Sequence, residues 1–191
     1  MTTEMDSRQA LLVMDMQQAI TNYFPGALLQ QFSHTIAAAR AAHILVIYVT
    51  VRWRPGGADV SPRNRFISAL APRGGFFEGD TTAAIDERLA PQDGDVVVTK
   101  RRVGAFSGSD LELVLRSQNI DTLVLTGIGT SGVVLSTLIE AADMDYRLIV
   151  LKDCCGDGSQ EVHQFLTEKI FPTQSEVMTA AEWIERLKDV N

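Results

Sequence analysis

The sequence predicts an open three-layer α/β/α sandwich, Rossmann-like in outline, around a central six-stranded and mainly parallel sheet. Three observations predict it. Six short runs are apolar throughout rather than alternating, the habit of strands buried on both faces. Helical patterns separate these runs along the chain, which calls for right-handed crossovers onto both faces of one sheet. Only six strand–helix units are present, whereas a (β/α)₈ barrel needs eight.

Ala10 to Met14 is the first apolar run, and it ends at Asp15. Pro25-Gly26 interrupts the chain before an alanine-rich helical stretch from Leu28 to Ala42. Ile44 to Val51 reads as the second strand. The stretch from Arg52 to Gly75 mixes prolines and glycines with Arg52, Arg54, Arg63, Arg65 and Arg73, and so reads mostly as loop. A loop of that length in a compact domain suggests function or disorder. Thr81 to Leu89 reads as a helix, Val96 to Val98 as the third strand, ending at Thr99-Lys100. After a turn at Gly104 to Gly108, Ser109 or Asp110 can cap a helix running to about Ser117.

The fourth strand, Leu123 to Leu125, passes through Gly127-Ile128-Gly129-Thr130-Ser131-Gly132 into an amphipathic helix carrying Val133, Val134, Leu135, Leu138 and Ile139. A buried strand feeding a helix amino terminus is where α/β proteins hold anions, because free N–H groups and the positive dipole end meet there. Arg147 to Lys152 is the fifth strand, Glu161 to Ile170 a helix, Glu176 to Met178 the sixth strand, and Ala180 to Lys188 the last helix.

The 191 residues are expected to form one domain, 1–191, large enough to bury a core without disulfides or metals. A net charge of −7 argues against nucleic acid or an anionic membrane as partner. No run reaches membrane-spanning length, and the start, MTTEMDSRQ, is polar and acidic rather than basic then apolar, so no signal peptide is expected. The two cysteines, Cys154 and Cys155, are sequence neighbours placed just after the fifth strand. They suit small buried side chains in a reducing cytoplasm better than a disulfide. The three histidines stand singly, so neither a metal nor another cofactor is expected.

In a parallel sheet every strand's carboxyl end lies on one edge, where ligands bind. Asp15 follows strand one, Lys100 strand three and the Gly127–Val133 turn strand four, so an acid, a base and a helix amino terminus converge on one crevice. Taken singly, Asp15 reads equally as a helix cap and Lys100 as a solvated strand-end charge.

Three motifs together, Asp15-Met16-Gln17, VTK at 98–100 with Ala105-Phe106-Ser107-Gly108, and TGIGTSGVVLST at 126–137, resemble the isochorismatase-like superfamily of cysteine hydrolases. The resemblance spans nearly the whole chain. It implies a hydrolase that acts on a small metabolite, and a homo-oligomer. The family's aspartate falls on Asp15, its lysine on Lys100 and its nucleophilic cysteine on Val133. Valine can form no acyl-enzyme, which leaves non-covalent acid–base chemistry of the kind isochorismatases use, with Asp15 exchanging the proton and Lys100 countering charge. Burial would raise the Asp15 pKa and the lysine would lower it. Backbone N–H groups around Gly129 and Val133 would form the oxyanion hole, next to a cis peptide at Ile128–Gly129. Gln17, Phe24, Arg52, Trp53 and Phe106 are the expected substrate-binding residues, with Arg52 and Arg54 suggesting an anionic ligand. Where metal-bearing relatives have Asp and His, this chain has Val51-Arg52-Trp53-Arg54, so no metal is implied.

Two rivals stand beside this. Gly127 to Gly132 satisfies the dinucleotide fingerprint GxGxxG, with Asp153 about twenty residues on in the place of the ribose-binding acid. The loss of a nucleophile also suits a catalytically silent binding or assembly module.

Overall fold

The computed structural model describes residues 8–188, so most of the polar amino-terminal stretch lies outside it. Its elements in chain order are β1 (Gln9–Met14), α1 (Gln18–Thr21), α2 (Gly26–Ala41), β2 (Leu45–Val51), α3 (Arg65–Leu70), β3 (Val96–Lys100), α4 (Leu111–Ser117), β4 (Thr122–Ile128), α5 (Leu135–Asp143), β5 (Arg147–Gly156), α6 (Gln160–Phe165), β6 (Glu176–Met178) and α7 (Ala180–Lys188). The six strands form one sheet in the order β3-β2-β1-β4-β5-β6, every neighbouring pair parallel. This is the three-layer α/β/α sandwich.

Strand alternation divides the core into two layers. Ala10, Leu12 and Met14 of β1 pack with α4 and α5 through Leu111, Leu115, Leu138 and Ala141. Leu11 and Val13 face the other way, onto Leu29, Phe32, Ile36 and Ala39 of α2 and Trp183 of α7. The spacing of those α2 residues draws one buried stripe along the helix. At roughly 1.5–3 kcal/mol for each fully buried large apolar side chain, these two faces dominate the fold's stability. Among the described residues no helix is long and apolar enough to cross a membrane.

The crossover from β2 to β3 differs from the expected long loop. It carries a 3-10 turn at Pro55–Gly57, the helix α3 and a second 3-10 turn at Ala71–Arg73. The Asn64 side chain accepts from Ile67 N–H at 3.0 Å and starts α3. Val51, Trp53, Ile67, Ala71 and Phe76 then form a third small core beneath it. The expected helix Thr81–Leu89 is instead two 3-10 turns, Thr81–Ala83 and Glu87–Leu89. The backbone between them is drawn into an extended bridge with residues 16–18: Gln18 N–H donates to Ala84 C=O and Asp86 N–H to Met16 C=O.

β5 also runs further than its apolar stretch, to Gly156 rather than Lys152. Cys154 and Cys155 therefore lie inside the strand, both buried. Beside them, Gly127 of β4 pairs with Met14 of β1. A Cβ on Gly127 would stand 2.7 Å from the Met14 carbonyl oxygen, so only glycine fits there.

Candidate active site

The carboxyl ends of β1, β3, β4 and β5 open on a cavity of about 610 Å³. That volume suits a small metabolite. Asp15, directly after β1, holds φ 60°, a left-handed conformation that aspartate tolerates better than most residues. Its N–H is anchored to Val49 C=O at 2.8 Å, which fixes the side chain at the cavity's base. Lys100, the last residue of β3, is 1% exposed and donates to Asp15 Oδ2 at 2.9 Å. It also donates to the Val103 carbonyl. Asp15 Oδ1 is buried with no hydrogen-bond partner among the described residues. Burial pushes the Asp15 carboxyl up from its ordinary value; the Lys100 charge and hydrogen bond oppose this without cancelling it. The balance left open by the sequence thus falls toward a raised acid.

Beyond β4 the Ile128–Gly129 peptide is cis. The chain then makes a π-turn, Thr130–Val134, before α5 begins. Val133 is buried and lines the cavity together with Gly129. The N–H and hydroxyl of Ser131 are already taken: both donate to Asp157 Oδ2 at 2.7 Å. Burial raises the Asp157 carboxyl, but the hydrogen bonds from Ser131, Ser159 and Gly158 outweigh it and hold the group below its ordinary value. Thr130 Oγ1 lies 2.8 Å from His163 Nδ1, tying the same turn to α6.

Asp15, Lys100, Gly129 and Val133 line the cavity, and so do Phe24 and Trp53. Gln17, Arg52 and Phe106 do not. The Gln17 amide is fully used as a strut: it donates to Val51 C=O and Ala83 C=O, and its oxygen accepts from Val51 N–H. Phe106 is core, stacked on Tyr146 at 6.2 Å. Arg52 does not line the cavity, and Arg54 is paired with Asp59 at 3.1 Å. The arginines on the cavity are Arg73, from the crossover, and Arg102, two residues past β3. Tyr23 and Phe66, both well exposed, stand at its rim.

Cys154 meets Thr35 Oγ1 at 3.2 Å, and burial pushes its thiol up to about 12. Burial pushes Cys155 up as well. Neither lines the cavity. Asp153, the ribose-binding candidate of the dinucleotide alternative, instead accepts from Ala180 N–H at 2.7 Å and begins α7. Among the described residues no group of three or more His, Cys, Asp or Glu is placed so that it could hold a metal ion.

Residues 9–182 match the isochorismatase domain. The chain belongs to the isochorismatase family. Among curated proteins it is similar to the maleamate amidohydrolase of Pseudomonas putida, 29% identical over 95% of this chain and 87% of that one. It also resembles the ureidoacrylate amidohydrolase of Pseudomonas syringae, 34% identical over 81% of this chain and 73% of that one. Among solved structures, a cysteine hydrolase from Pseudomonas syringae pv. phaseolicola superposes with a TM-score of 0.88. It is 28% identical and covers 96% of this chain and 94% of its own. The isochorismatase-family fold thus accounts for the whole sheet and for the edge on which the cavity lies.

Proposed function

We propose that the protein is an isochorismatase-family hydrolase acting on a small anionic metabolite by non-covalent acid–base chemistry. One observation carries this reading: a buried Asp15–Lys100 pair, 2.9 Å apart, sits at the base of a metabolite-sized cavity. Burial favours the protonated form of the Asp15 carboxyl, which lets it donate a proton, and the adjacent ammonium stabilises the anion it leaves. Val133 takes the place of the family's nucleophile, so water rather than a thiolate attacks the substrate. Asp15 passes its proton to the leaving group and regains one from the attacking water. Lys100 holds the charge of the pair, and the backbone N–H groups near Gly129 and Val133 meet the developing oxyanion.

Arg73 and Arg102 take the anion-binding part first assigned to Arg52 and Arg54. The relatives named for maleamate and ureidoacrylate support a carboxylate-bearing substrate. The apolar walls from Phe24, Trp53 and Phe76 would cover its body. We place the protein in a reducing cytoplasm on its two free cysteines, and take it as a homo-oligomer on the family resemblance.

Val133 also favours a second reading, a silent binding module, because an isopropyl group fills the reacting position. Screening small carboxylate-bearing amides, esters and enol ethers with wild type and Asp15→Asn separates the two. Turnover that the variant loses supports the hydrolase; binding without turnover in either protein supports the module.

A further inference from the structure

Lys100 has two hydrogen-bond acceptors, the Asp15 carboxylate and the Val103 carbonyl. Asp15 is fixed by the sheet through its N–H bond to Val49. Val103 belongs to the segment that leaves β3, residues 101–110, which has no helix or strand of its own. Where its carbonyl stands decides where the ammonium stands.

The segment rests on α5. Gly104 crosses that helix closely: a Cβ there would stand 3.2 Å from Glu140 Oε2 and 3.5 Å from Ser136 Cβ. Val103 faces the turn after β4, its Cγ1 3.9 Å from where a Cβ on Gly132 would stand. Among the described residues one hydrogen bond joins the segment to α5: the Ala105 N–H donates to Thr137 Oγ1 at 3.0 Å. Both residues are fully buried, so removing one partner leaves the other unsatisfied. Thr137 comes four residues after Val133, about one helical turn further along. A continuous set of contacts therefore runs from the Lys100 ammonium through Val103, Ala105 and Thr137 to the helix that carries the reacting position.

We infer that Thr137 is a positioning residue: through the Ala105 N–H it fixes the Val103 carbonyl, and so sets the Lys100 ammonium against both Asp15 and the turn that carries Val133. This deepens the proposed function and rests on the Asp15–Lys100 site it assigns. The hydroxyl is the part that matters. Valine would fill nearly the same space without an acceptor and leave the Ala105 N–H unpaired. The segment would then settle elsewhere and take Val103 with it, and a misplaced ammonium stabilises a neighbouring anion less well.

A thiol placed at the reacting position tests this without any substrate. In Val133→Cys, the pH dependence of iodoacetamide alkylation, read on that peptide by mass spectrometry, gives the thiol's apparent pKa. Adding Thr137→Val or Thr137→Ala should raise it by about 0.5 or more, because a nearby cation favours the thiolate. Adding Thr137→Ser, which keeps the acceptor, should leave it within about 0.2. Trp183→Phe, buried on the opposite face of the sheet, loosens the fold away from these contacts and should leave it equally unmoved. An unchanged value with both Thr137→Val and Thr137→Ala overturns the positioning role, as does an equal rise with Thr137→Ser or Trp183→Phe. A Val133→Cys thiol that titrates like free cysteine overturns it too, since Lys100 then does not reach the turn. On any substrate that is turned over, Thr137→Val should lower kcat about tenfold with KM within about twofold. Absence of turnover removes the hydrolase reading and leaves the thiol values to decide the role of Thr137.

Discussion

Lys100→Met removes one half of a buried ion pair while nearly preserving side-chain length. Lys100 is 1% exposed, and Asp15 already has one oxygen without a partner. The variant leaves the other Asp15 oxygen and the Val103 carbonyl without their donor. Breaking a buried pair from one side costs about 3–5 kcal/mol. With a urea m-value of roughly 2–3 kcal/mol/M for a chain of this size, the unfolding midpoint should fall by about 1–2.5 M.

The loss should also depend on pH. Burial already raises the folded pKa of Asp15 above its unfolded value, and removing Lys100 removes the influences that lower it. A raised acid binds its proton more tightly in the folded state. Stability therefore falls as pH rises from the unfolded value, near 4, through the folded one. The variant should lose more at pH 8 than at pH 5, as urea melts followed by circular dichroism would read. Asp15→Asn combined with Lys100→Met removes the unpaired charge and should recover more than half of the loss. A deficit below about 1 kcal/mol that is equal at both pH values, or a double variant no better than the single one, would refute the buried-pair reasoning.

Three further outcomes are expected. Val133→Cys should present a thiol that is alkylated by iodoacetamide with an apparent pKa below the free value of about 8.5, and ordinary titration would break the likeness to a cysteine-hydrolase site. Cys154 and Cys155, raised by burial, should stay silent to Ellman's reagent in the folded protein and react in 6 M guanidinium chloride; fast native labelling would contradict their packing. Gly127→Ala puts a methyl 2.7 Å from the Met14 carbonyl oxygen and should cost roughly 2 kcal/mol or more, a fall in Tm on the order of 4–8 °C by calorimetry.

Much of the fold was legible because strands buried on both faces write themselves as unbroken apolar runs; β4, for example, is buried at every residue. Asp15, Lys100 and Gly129 were legible for the related reason that residues ending such runs share one edge. The 81–89 stretch misled because threonine caps and apolar spacing suit a helix, whereas its backbone is committed to the strand-like bridge near Gln17. Gln17 itself looked like a ligand residue, and its long-range use as a strut leaves no trace in local sequence. Asp157 was hidden because polar Lys152 and Asp153 look like a strand's end, although β5 continues through the buried Cys154 and Cys155. Arg102 carried a signal, two residues past Lys100, that Arg52 and Arg54 outweighed.

Hydrolysis by the Asp15–Lys100 pair is tested most directly by a turnover screen of carboxylate-bearing amides, esters and enol ethers followed by intact-protein mass spectrometry. The expected result is product from wild type, none from Asp15→Asn, and no mass adduct on the protein at any time during turnover. A covalent acyl adduct on the wild-type chain, or undiminished product from Asp15→Asn, would contradict hydrolysis by the Asp15–Lys100 pair alone.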